Sequence, residues 1–584
     1  MNGLINNIKY FFKDFFKPKY KENQPWLEYY SKEERSIKFT KMNIYEYLDF
    51  NVKEEDRGYV ALNYFGNTFN YRSFFKNIDM VARSLKSLGV KEKDIVSICM
   101  PNMPEAVYLF YACNKIGAIA DMIHPLSSPE QLKIYLNEND SKILFLVDFN
   151  YDKYKNVIKK SLVRDTVLVS VKESMPRLLS IGYTITHNFH LSLLNNYDNG
   201  FMSWKKFLSY DDYKGELTSN MKHNDTAVIL HSGGTTGTPK GIMLSNYNFN
   251  AEMQQDGVNV YDVRPGDKIV TILPIFHGFG LCICLHTALC LRVENILMPE
   301  FNIKRFARCM KNDKPHVLLG VPTMWEAMMS SDSMDNVDLS QMKYLISGGD
   351  HLSPANEAKF NDFLHKHGAR INVSKGYGMT ESVAATCYTF PGTNAPGSIG
   401  IPMVGNRLKI VDPNTNKELP LGVEGEIVIN GPTVMQGYLN NKKETDKILK
   451  RDKNGDLWLH TGDIGYISPE GLVYYTSRLK RMIVVSGFNV YPSQIEAVIN
   501  DIDGVKQCVV VGIPHKYKMH VPKAFIVLRD DYKNKKNVVL KEIKDACKKK
   551  LSVYSQPKEY EFRDSLPKTI MGKVDYKELE KDGE

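Results

Sequence analysis

The sequence predicts an α/β protein. It should have a large N-terminal domain of mixed, mainly parallel, helix-covered sheets with a distorted β unit, and a small, mobile α+β C-terminal domain. Three observations support this prediction. From about residue 58, apolar runs of strand length alternate with segments of helical period. Between residues 399 and 476, short strand-like runs are separated by Pro, Gly and Asn, which favours an antiparallel unit. After about residue 478, a new mixture of strands and helices begins.

The strand predictions rest on continuous apolar runs, and the helix predictions rest on apolar residues three or four positions apart. The first pattern predicts strands over residues 94–100, 142–148, 226–230, 267–276, 316–322 and 342–350, with a helix over 105–117. The antiparallel region is predicted to contain the strands "RLKIVD", "GEIVING" and "GLVYYT". The C-terminal region is predicted to contain strands in "MIVVSGFNVYP", "QCVVVGIP" and "PKAFIVL", and helices in "SQIEAVIND" and "LKEIKDACKKKL".

These patterns divide the chain into four parts. Residues 1–20 form an amphipathic N-terminal helix, residues 21–477 the large domain, residues 478–480 a hinge, and residues 481–584 the small domain. Domains of this size are consistent with a chain too long for one compact unit.

Composition indicates an ordinary globular protein of the cytoplasm. The chain is 43% apolar and 24% charged, and no apolar run approaches the ~20 residues of a membrane span. The N-terminus lacks the continuous apolar stretch of a secretory signal. Nine cysteines are scattered without metal-ligand spacing, so we expect reduced thiols. The net charge of +9 is modest, and the lysine-rich segments near the C-terminus are typical of solvated helix faces, so no nucleic-acid partner is expected.

The stretch "HSGGTTGTPKG" at residues 231–241 has the composition of a phosphate-binding loop. Its glycines and small hydroxyl residues offer backbone N–H groups and hydroxyls to a closely approaching ligand, and Lys240 adds a positive charge. It is not a Walker A loop, because Pro239 precedes the lysine and Gly241 follows it. The loop is therefore predicted to bind phosphates in another class of nucleotide-binding protein.

Several further motifs occur in a fixed order. They are "SGGTTGTPKG" (232–241), "PIFHGFG" (274–280), "YGMTES" (377–382), "GEIVINGPTVMQGYL" (425–439), "WLHTGD" (458–463), "SRLKRMIVVSGFNVYP" (477–492) and "PKTIMGKV" (567–574). With these motifs the chain resembles the adenylate-forming superfamily of acyl-CoA synthetases, aryl-CoA ligases, amino-acid adenylation domains and luciferases. The resemblance extends from about residue 58 to the C-terminus.

The resemblance implies a reaction in which a carboxylate attacks the α-phosphorus of ATP and releases pyrophosphate. It implies a phosphate grip made by Ser232, Gly233, Gly234, Thr235, Thr236, Gly237 and Lys240. Adenine and ribose would be held by the segments containing Gly348, Gly349, Asp350, Tyr377, Gly378, Asp463 and Arg478, and Thr380 would contact the α-phosphate. Glu381 would hold Mg²⁺, a cation that prefers carboxylate oxygen.

A second half-reaction is implied by the C-terminal motifs. Lys573 corresponds to the lysine that pairs with the attacking carboxylate and the α-phosphate. Lys480 lies at the hinge position of the family, about which the small domain would swing after adenylation. Gly487, Phe488 and Asn489 would then guide a thiol to the acyl carbonyl. The sequence departs from the family pattern at Gly233, Ser477 and Arg481, and the last could alter the swing.

The acid and the thiol are less closely specified by the resemblance. His277 stands where amino-acid adenylation domains carry Asp, which favours a gate beside the substrate carboxylate, and Gly278, Phe279, Gly280 and Leu281 suggest a roomy apolar path. Val321, Met324 and Val383 are the other pocket candidates. We expect a medium- or long-chain fatty acid with CoA as acceptor. The alternatives are an aromatic acid, an acyl carrier protein as acceptor, and an inactive nucleotide-binding homologue.

The N-terminal segment 4–17, "LINNIKYFFKDFFK", places leucine, isoleucine and phenylalanine on one helical face with lysines along its border. Two interpretations are open. The helix docks on the large domain, or it lies on the inner face of an anionic membrane as a peripheral anchor.

Overall fold

The computed structural model describes residues 24–187, 201–231, 240–260, 262–485, 488–515, 519–568 and 574–582. The predicted amphipathic helix at residues 4–17 lies outside this part of the chain. Within it, the predicted α/β architecture is confirmed: two mainly parallel sheets, an antiparallel sheet and a C-terminal sheet follow one another.

The first mainly parallel sheet has eight strands among the described residues. Its spatial order is Gly437–Tyr438, Gly241–Ser245, Thr226–His231, Ile119–Met122, Ile95–Cys99, Ile143–Val147, Asp165–Val169 and Phe201–Ser203. The strands pair in parallel from Thr226–His231 onward, and the two before it are antiparallel. The strands Thr226–His231 and Gly241–Ser245 flank the predicted phosphate loop.

The second mainly parallel sheet has nine strands in the same part of the chain. Its order is Ile401–Pro402, Cys387–Tyr388, Ser374–Tyr377, Tyr344–Ser347, Val317–Gly320, Lys268–Thr271, Glu294–Leu297, Val60–Tyr64 and Asn67–Asn70. The six strands from Ser374–Tyr377 to Val60–Tyr64 are parallel. Their carboxyl ends therefore meet at one edge, where ligands of open α/β sheets bind.

The two remaining sheets match the predicted changes in pattern. The antiparallel sheet contains Arg407–Val411, Gly425–Asn430, Leu457–Ile467, Leu449–Arg451 and Val473–Arg478. The C-terminal sheet contains Phe488–Val490, Ile483–Val485, Met519–Leu528, Val505–His515 and Glu559–Arg563.

Helices cover the faces of the sheets. In the large domain they are Lys32–Arg35, Ile44–Asn51, Tyr71–Ser87, Pro104–Ile116, Pro129–Glu138, Tyr151–Ile158, Arg177–His187, Trp204–Leu208, Asn246–Asn259, Ala288–Cys290, Ile303–Asp313, Pro322–Met329, Pro354–Lys366 and Lys442–Ile448. A π-helix spans Phe279–Thr287. Pro492–Asn500, Lys536–Lys550 and Tyr576–Lys581 follow in the C-terminal region. No helix in the described ranges has both the length and the apolarity to cross a membrane.

Helix Pro104–Ile116 shows why the predicted boundaries were close to the observed ones. Proline at its first position has no N–H that the helix needs, and Gly117 ends it in the left-handed conformation with φ of +76°. All its residues except Lys115 are buried, so the helix is part of the core on every side.

Helix Asn246–Asn259, here called the polar helix, contradicts its composition. Its sequence "NYNFNAEMQQDGVN" would suit a solvated face, yet most of its residues are buried. Buried polar side chains require partners, and three of them bond to the backbone of distant segments. Asn248 donates to Pro432 and Val434, Asn250 to Met42, and Gln255 to Val404.

All nine cysteines are free thiols and all are buried. Burial raises the pKa of each thiol, because the charged thiolate is poorly solvated in the protein interior. The thiols therefore act as small apolar side chains.

Candidate active site

The nine-stranded sheet brings predicted nucleotide-binding residues to one edge. Tyr377 ends one parallel strand, and Gly348 and Gly349 follow the neighbouring strand directly. His277 comes after strand Lys268–Thr271 of the same sheet. All four line a single cavity. The arrangement follows from parallel pairing, which places successive carboxyl ends side by side.

A buried carboxylate forms the centre of the first cluster. Asp463 and Arg478 lie directly opposite each other on neighbouring antiparallel strands. The Tyr377 hydroxyl donates to Asp463 Oδ2 at 2.7 Å, and Arg478 Nε lies 3.0 Å from Asp463 Oδ1. That second approach is an ion pair without hydrogen-bond alignment. Oδ1 is buried and accepts no hydrogen bond from the described residues. Burial raises the pKa of Asp463, while Arg478 and the Tyr377 hydroxyl lower it.

A second cluster joins the end of the predicted phosphate loop to Glu381. The Tyr438 hydroxyl donates to Glu381 Oε1 at 2.8 Å, and Lys240 Nζ lies 4.7 Å from the centre of the Tyr438 ring. Lys240 Nζ also donates to Glu444 Oε2 at 2.5 Å. Hydrogen bonds from Lys240 and Lys447 lower the pKa of Glu444 to about 2. Glu444 therefore carries a full negative charge against the lysine that the motif assigns to phosphates.

The cavity opens to solvent. Most of its wall is apolar, including Val260, Ile269, Ile283, Leu291, Val317 and Ile346. The wall includes one carboxylate, that of Asp256. The same cavity includes Tyr377, a member of the cluster around Asp463, and His277. It therefore connects that cluster with the apolar side chains of the nine-stranded sheet.

His277 lies beside Thr380 at this cavity. Its Nε2 is 3.5 Å from the Thr380 hydroxyl oxygen. Gly278 follows it with helical torsion angles, so it is not needed for an unusual backbone conformation. Its role is close approach: a Cβ added there would lie 1.8 Å from the Val383 carbonyl oxygen. Val383 itself has φ of +67°, a strained conformation for a β-branched residue.

The predicted apolar path needs correction. Gly278 and Gly280 create no open space, because backbone packs directly against both of them. Leu281 is completely buried in the core instead of lining the cavity, whereas Phe279 does line it. Val321, Met324 and Val383, the other pocket candidates, do not line this cavity either. These apolar residues pack in or against the cores, which is the commoner fate of apolar side chains.

The other described residues that the motifs assign to the site are two glycines, an aspartate and a lysine. Gly378 lines the cavity next to Tyr377, and Gly349 has φ of +76°, a conformation that favours glycine. Asp350 is exposed, and its Oδ1 accepts the N–H of His351 at 2.8 Å. Lys480 is exposed in a 3₁₀ helix, Leu479–Arg481, between the antiparallel sheet and the C-terminal sheet.

Several predicted residues lie outside the described part of the chain. They are Ser232, Gly233, Gly234, Thr235, Thr236, Gly237, Gly487 and Lys573. Phe488 and Asn489 are described only as part of strand Phe488–Val490.

The residues around Glu381 fit a Mg²⁺ ion bound together with phosphates. Glu381 Oε2 accepts no hydrogen bond from the described residues, while Oε1 is oriented by Tyr438. Those residues contain no group of three or more His, Cys, Asp or Glu that could hold a metal by themselves. One carboxylate plus substrate phosphates is the usual way in which proteins bind Mg²⁺.

Sequence reasoning missed four residues of the site. Tyr438 is the second-last residue of the quoted "GEIVINGPTVMQGYL" segment, and Glu444 lies shortly after it. Nothing in their spacing indicates that they contact Lys240. Asp256 and Glu252 were missed because the polar helix has the composition of an exposed one. The one signal available was an acid pair at i, i+4, Glu252 and Asp256, in the segment that precedes the strand before "PIFHGFG".

Comparison with known proteins agrees with this geometry. The family profile of the AMP-binding enzyme matches residues 50–439, and that of the AMP-binding enzyme C-terminal domain matches residues 494–573. A long-chain-fatty-acid–CoA ligase of Bacillus subtilis (strain 168) is 30% identical over 519 residues, covering 88% of this chain and 90% of its own. The 4-coumarate:CoA ligase 1 of Petunia hybrida is 29% identical over 512 residues, covering 85% and 86%.

The fold is shared with solved structures. The ATP-bound MatB from Rhodopseudomonas palustris superposes with a TM-score of 0.80 at 24% identity, covering 93% of this chain and 99% of its own. The profile match covers well over half of the chain, in the same order as the motifs. The chain therefore belongs to the AMP-binding enzyme family, and it is an AMP-forming acid–thiol ligase.

Proposed function

We propose that this protein activates a medium- or long-chain fatty acid with ATP, forming an acyl-adenylate and pyrophosphate, and then transfers the acyl group to CoA. The observation that supports this proposal is the mainly apolar cavity. Its lining includes Tyr377, which belongs to the cluster around Asp463, together with His277 and Gly348. An acid bound in the cavity would have its carboxylate beside His277 and Thr380. The similarity to a bacterial long-chain-fatty-acid–CoA ligase favours the same substrate class.

Residue roles follow from the two clusters. Asp463 Oδ1 is a buried acceptor that receives no hydrogen bond from the described residues, so it suits a ribose hydroxyl, with Arg478 beside it for the ribose or a phosphate. Tyr377 is held by its bond to Asp463 and would stack on adenine. Thr380 would donate to the α-phosphate, and His277 would orient the carboxylate. Donors placed in advance at the phosphate stabilise the charge of the transition state.

The phosphate side needs charge compensation. Ser232 through Gly237 and Lys240 would cradle the β- and γ-phosphates, with Thr236 and Lys240 as the main donors. A Mg²⁺ ion held by Glu381 would neutralise negative charge on the phosphates. Lys240 would exchange its partner Glu444 for phosphate oxygen, since a triphosphate carries more charge than one carboxylate.

The small domain would serve both half-reactions. We place the domain boundaries at residues 21–477, 478–480 and 481–584, with Lys573 delivered for adenylation and residues 487–489 for thiol transfer. Arg481 belongs to the moving side, because it pairs with Glu496 at 2.5 Å and lies 3.8 Å over the Tyr576 ring, both in the C-terminal region.

An aromatic acid is the second candidate. The similarity to a plant 4-coumarate:CoA ligase, at nearly the same identity and coverage as the bacterial relative, favours it.

ATP–pyrophosphate exchange with a panel of fatty and aromatic acids tests the proposal. Exchange that depends on a fatty acid, followed by CoA thioester formation, is the expected result. Exchange with aromatic acids alone would select the second candidate. Transfer to an acyl carrier protein but not to CoA would change the acceptor. Absence of exchange with every acid would indicate an inactive nucleotide-binding homologue and refute the proposal.

We also propose that residues 4–17 contact the inner face of an anionic membrane as a peripheral anchor. Fatty acids partition into the same bilayer, and aromatic, lysine-bordered helices bind such surfaces. Co-sedimentation with anionic liposomes should be strong for the full chain, weak for a chain starting at Tyr20, and reduced by salt. Equal binding by both chains would favour a helix docked on the protein.

A further inference from the structure

One carboxylate lies in the mainly apolar wall of the cavity. Asp256, on the polar helix, is 7% exposed and faces the cavity. The Thr287 hydroxyl donates to its Oδ2 at 2.8 Å, and Oδ1 accepts no hydrogen bond from the described residues. Asn259 lies one turn further along the same helix and also lines the cavity. Its amide donates to the Gln255 carbonyl oxygen at 3.0 Å, which leaves its own carbonyl oxygen as an acceptor.

This polar group lies well away from the reacting carboxylate. Phe279, Ile283 and Thr287 recur every four residues along one face of the π-helix, and all three line the cavity. Phe279 is two residues from His277, so Thr287 is about two turns deeper, roughly 10 Å along the helix at ~1.2–1.5 Å per residue. Asp256 and Thr287 therefore meet the far part of an acyl group and not its carboxylate.

A second acid stands directly behind the first. Glu252 is completely buried one turn before Asp256, and its Oε1 accepts the Ala385 N–H at 2.6 Å. Its Oε2 is buried and has no hydrogen-bond partner in the described part of the chain. Burial, reinforced by the neighbouring Asp256, raises the pKa of Glu252 well above its usual range. Burial raises the pKa of Asp256 to about 7.

Burying two acids that each have a hydrogen bond from the described residues to only one carboxylate oxygen is costly, and packing alone does not require them. An apolar side chain at position 256 would serve a plain hydrocarbon chain better, since a polar group facing a methylene loses its hydration without compensation. The wall of this cavity thus contains an acceptor, Asp256 Oδ1, held in place by Thr287 and next to a second acceptor on Asn259.

We propose that Asp256 and Thr287 form a specificity site for a hydrogen-bond donor, a hydroxyl or an amine, on the part of the acyl group remote from its carboxylate. The inference rests on the proposed function, because it assigns the cavity to the acid. It refines that function: the preferred acid is a hydroxylated or aminated member of its class, either a fatty acid substituted along its chain or a ring-substituted aromatic acid. The shared chemistry is the donor.

The test compares matched pairs of acids by ATP–pyrophosphate exchange with the full-length enzyme. One arm pairs dodecanoate with its mid-chain hydroxy and ω-hydroxy derivatives. The other pairs cinnamate with its para-hydroxy and para-amino derivatives. A site built to bind a donor discriminates strongly against the analogue that lacks it. We expect kcat/KM to favour the substituted acid by at least about tenfold in one arm, and that arm identifies the source of the donor.

Variants connect the preference to the two residues. Asp256→Leu removes the acceptor at similar volume and should bring the pair ratio to within about twofold of unity. Thr287→Val removes the donor that orients Asp256 and should lower the ratio as well, which keeps the test open if Asp256→Leu does not fold. Ile283→Ala, which changes an apolar part of the same wall, should alter both acids of a pair alike.

The outcomes separate the two proposals. If the wild-type enzyme activates unsubstituted acids at least as well as every substituted partner, the specificity site is refuted and the proposed function stands. The same holds if the preference persists unchanged in Asp256→Leu and Thr287→Val. If no acid supports exchange, the proposed function fails and the specificity site fails with it.

Discussion

At the scale of single residues, burial decides the behaviour of ionisable groups throughout the large domain. Glu105 is 2% exposed in the first turn of helix Pro104–Ile116. The Ser174 hydroxyl donates to its Oε1 at 2.6 Å, and none of the residues that the structure describes donates a hydrogen bond to its buried Oε2. Burial raises the pKa of this carboxyl to about 7, while the bond from Ser174 lowers it.

The raised pKa predicts a pH dependence of stability. Below a pH of about 4.3 the carboxyl is neutral in both the folded and the unfolded chain, and its contribution is fully present. As the pH rises through the folded pKa of about 7, the unfolded chain ionises first and that stability is lost. From pH 5 to pH 8 the loss is on the order of 2–3 kcal/mol.

Glu105→Gln should remove this dependence, since glutamine is neutral throughout. The measurement is the melting temperature of both proteins from pH 5 to pH 8, where the variant should gain a few degrees relative to wild type as the pH rises. Glu130→Gln, an exposed position in the first turn of another helix, is the matched control. A constant difference between Glu105→Gln and wild type would contradict the assignment.

A second residue-scale prediction concerns Gly278. An alanine Cβ there would lie 1.8 Å from the Val383 carbonyl oxygen, which is backbone and cannot move aside without disturbing Thr380 and Glu381 nearby. Gly278→Ala should lower the melting temperature and reduce ATP–pyrophosphate exchange by at least about tenfold. This size follows because small misplacements at a reacting centre cost about 10²-fold.

Gly257→Ala provides the comparison for this substitution. Gly257 lies in the polar helix, and an added Cβ there meets no atom within 4 Å. Alanine is the better helix former, so this variant should match or slightly exceed wild-type stability. Equal behaviour of the two glycine variants would show that the contact at Gly278 is unimportant.

At the scale of elements, the 3₁₀ helix Leu479–Arg481 lies between the antiparallel sheet and the C-terminal sheet, and the proposed hinge at residues 478–480 overlaps it. Proline fixes φ near −65°, a value that this helix accepts, and it blocks rotation about that bond. Lys480→Pro should therefore leave ATP–pyrophosphate exchange within a few-fold of wild type. It should lower the conversion of supplied acyl-adenylate and CoA to thioester by orders of magnitude. Lys480→Ala tests the loss of the charge alone, and an equal thioester defect there would rule out the hinge explanation.

The elements also show how far the sequence could be read. Strands such as Ile95–Cys99 and Ile143–Val147 were predictable because uninterrupted apolar runs of that length are typical of parallel sheets buried on both faces. The polar helix was not predictable as a buried element. Its asparagines and glutamines satisfy their hydrogen bonds on backbone more than a hundred residues away, and local pattern contains no record of such partners.

The residues of the candidate site likewise fall into those that the sequence could predict and those that it could not. Tyr377, Asp463 and Arg478 could be assigned through motifs, and the structure places them in contact. The cavity wall could not be predicted, because it is assembled from the polar helix, the π-helix and five strands that are distant in sequence. Glycines that looked like open space proved to be points of close backbone contact.

At the scale of the whole molecule, one cleft is proposed to serve two reactions through two orientations of the small domain. Lys573→Ala should abolish acyl-adenylate formation by orders of magnitude, because the attacking carboxylate and the α-phosphate lose their shared cation. It should still convert supplied acyl-adenylate and CoA to thioester. Lys577→Ala, an exposed lysine just beyond the motif "PKTIMGKV", is the control. Near-normal exchange in Lys573→Ala would refute the assignment.

The nine buried thiols can report local unfolding of this molecule through their rates of alkylation. A thiol with a raised pKa and no exposure reacts with an alkylating reagent only when its surroundings open. Cys508 and Cys547 lie in the core of the C-terminal region, and the other seven are distributed through the large domain. The order in which these cysteines become alkylated is therefore the order in which the surrounding parts of the protein unfold. The native cysteines are the probes in this measurement, so no label has to be introduced into the chain.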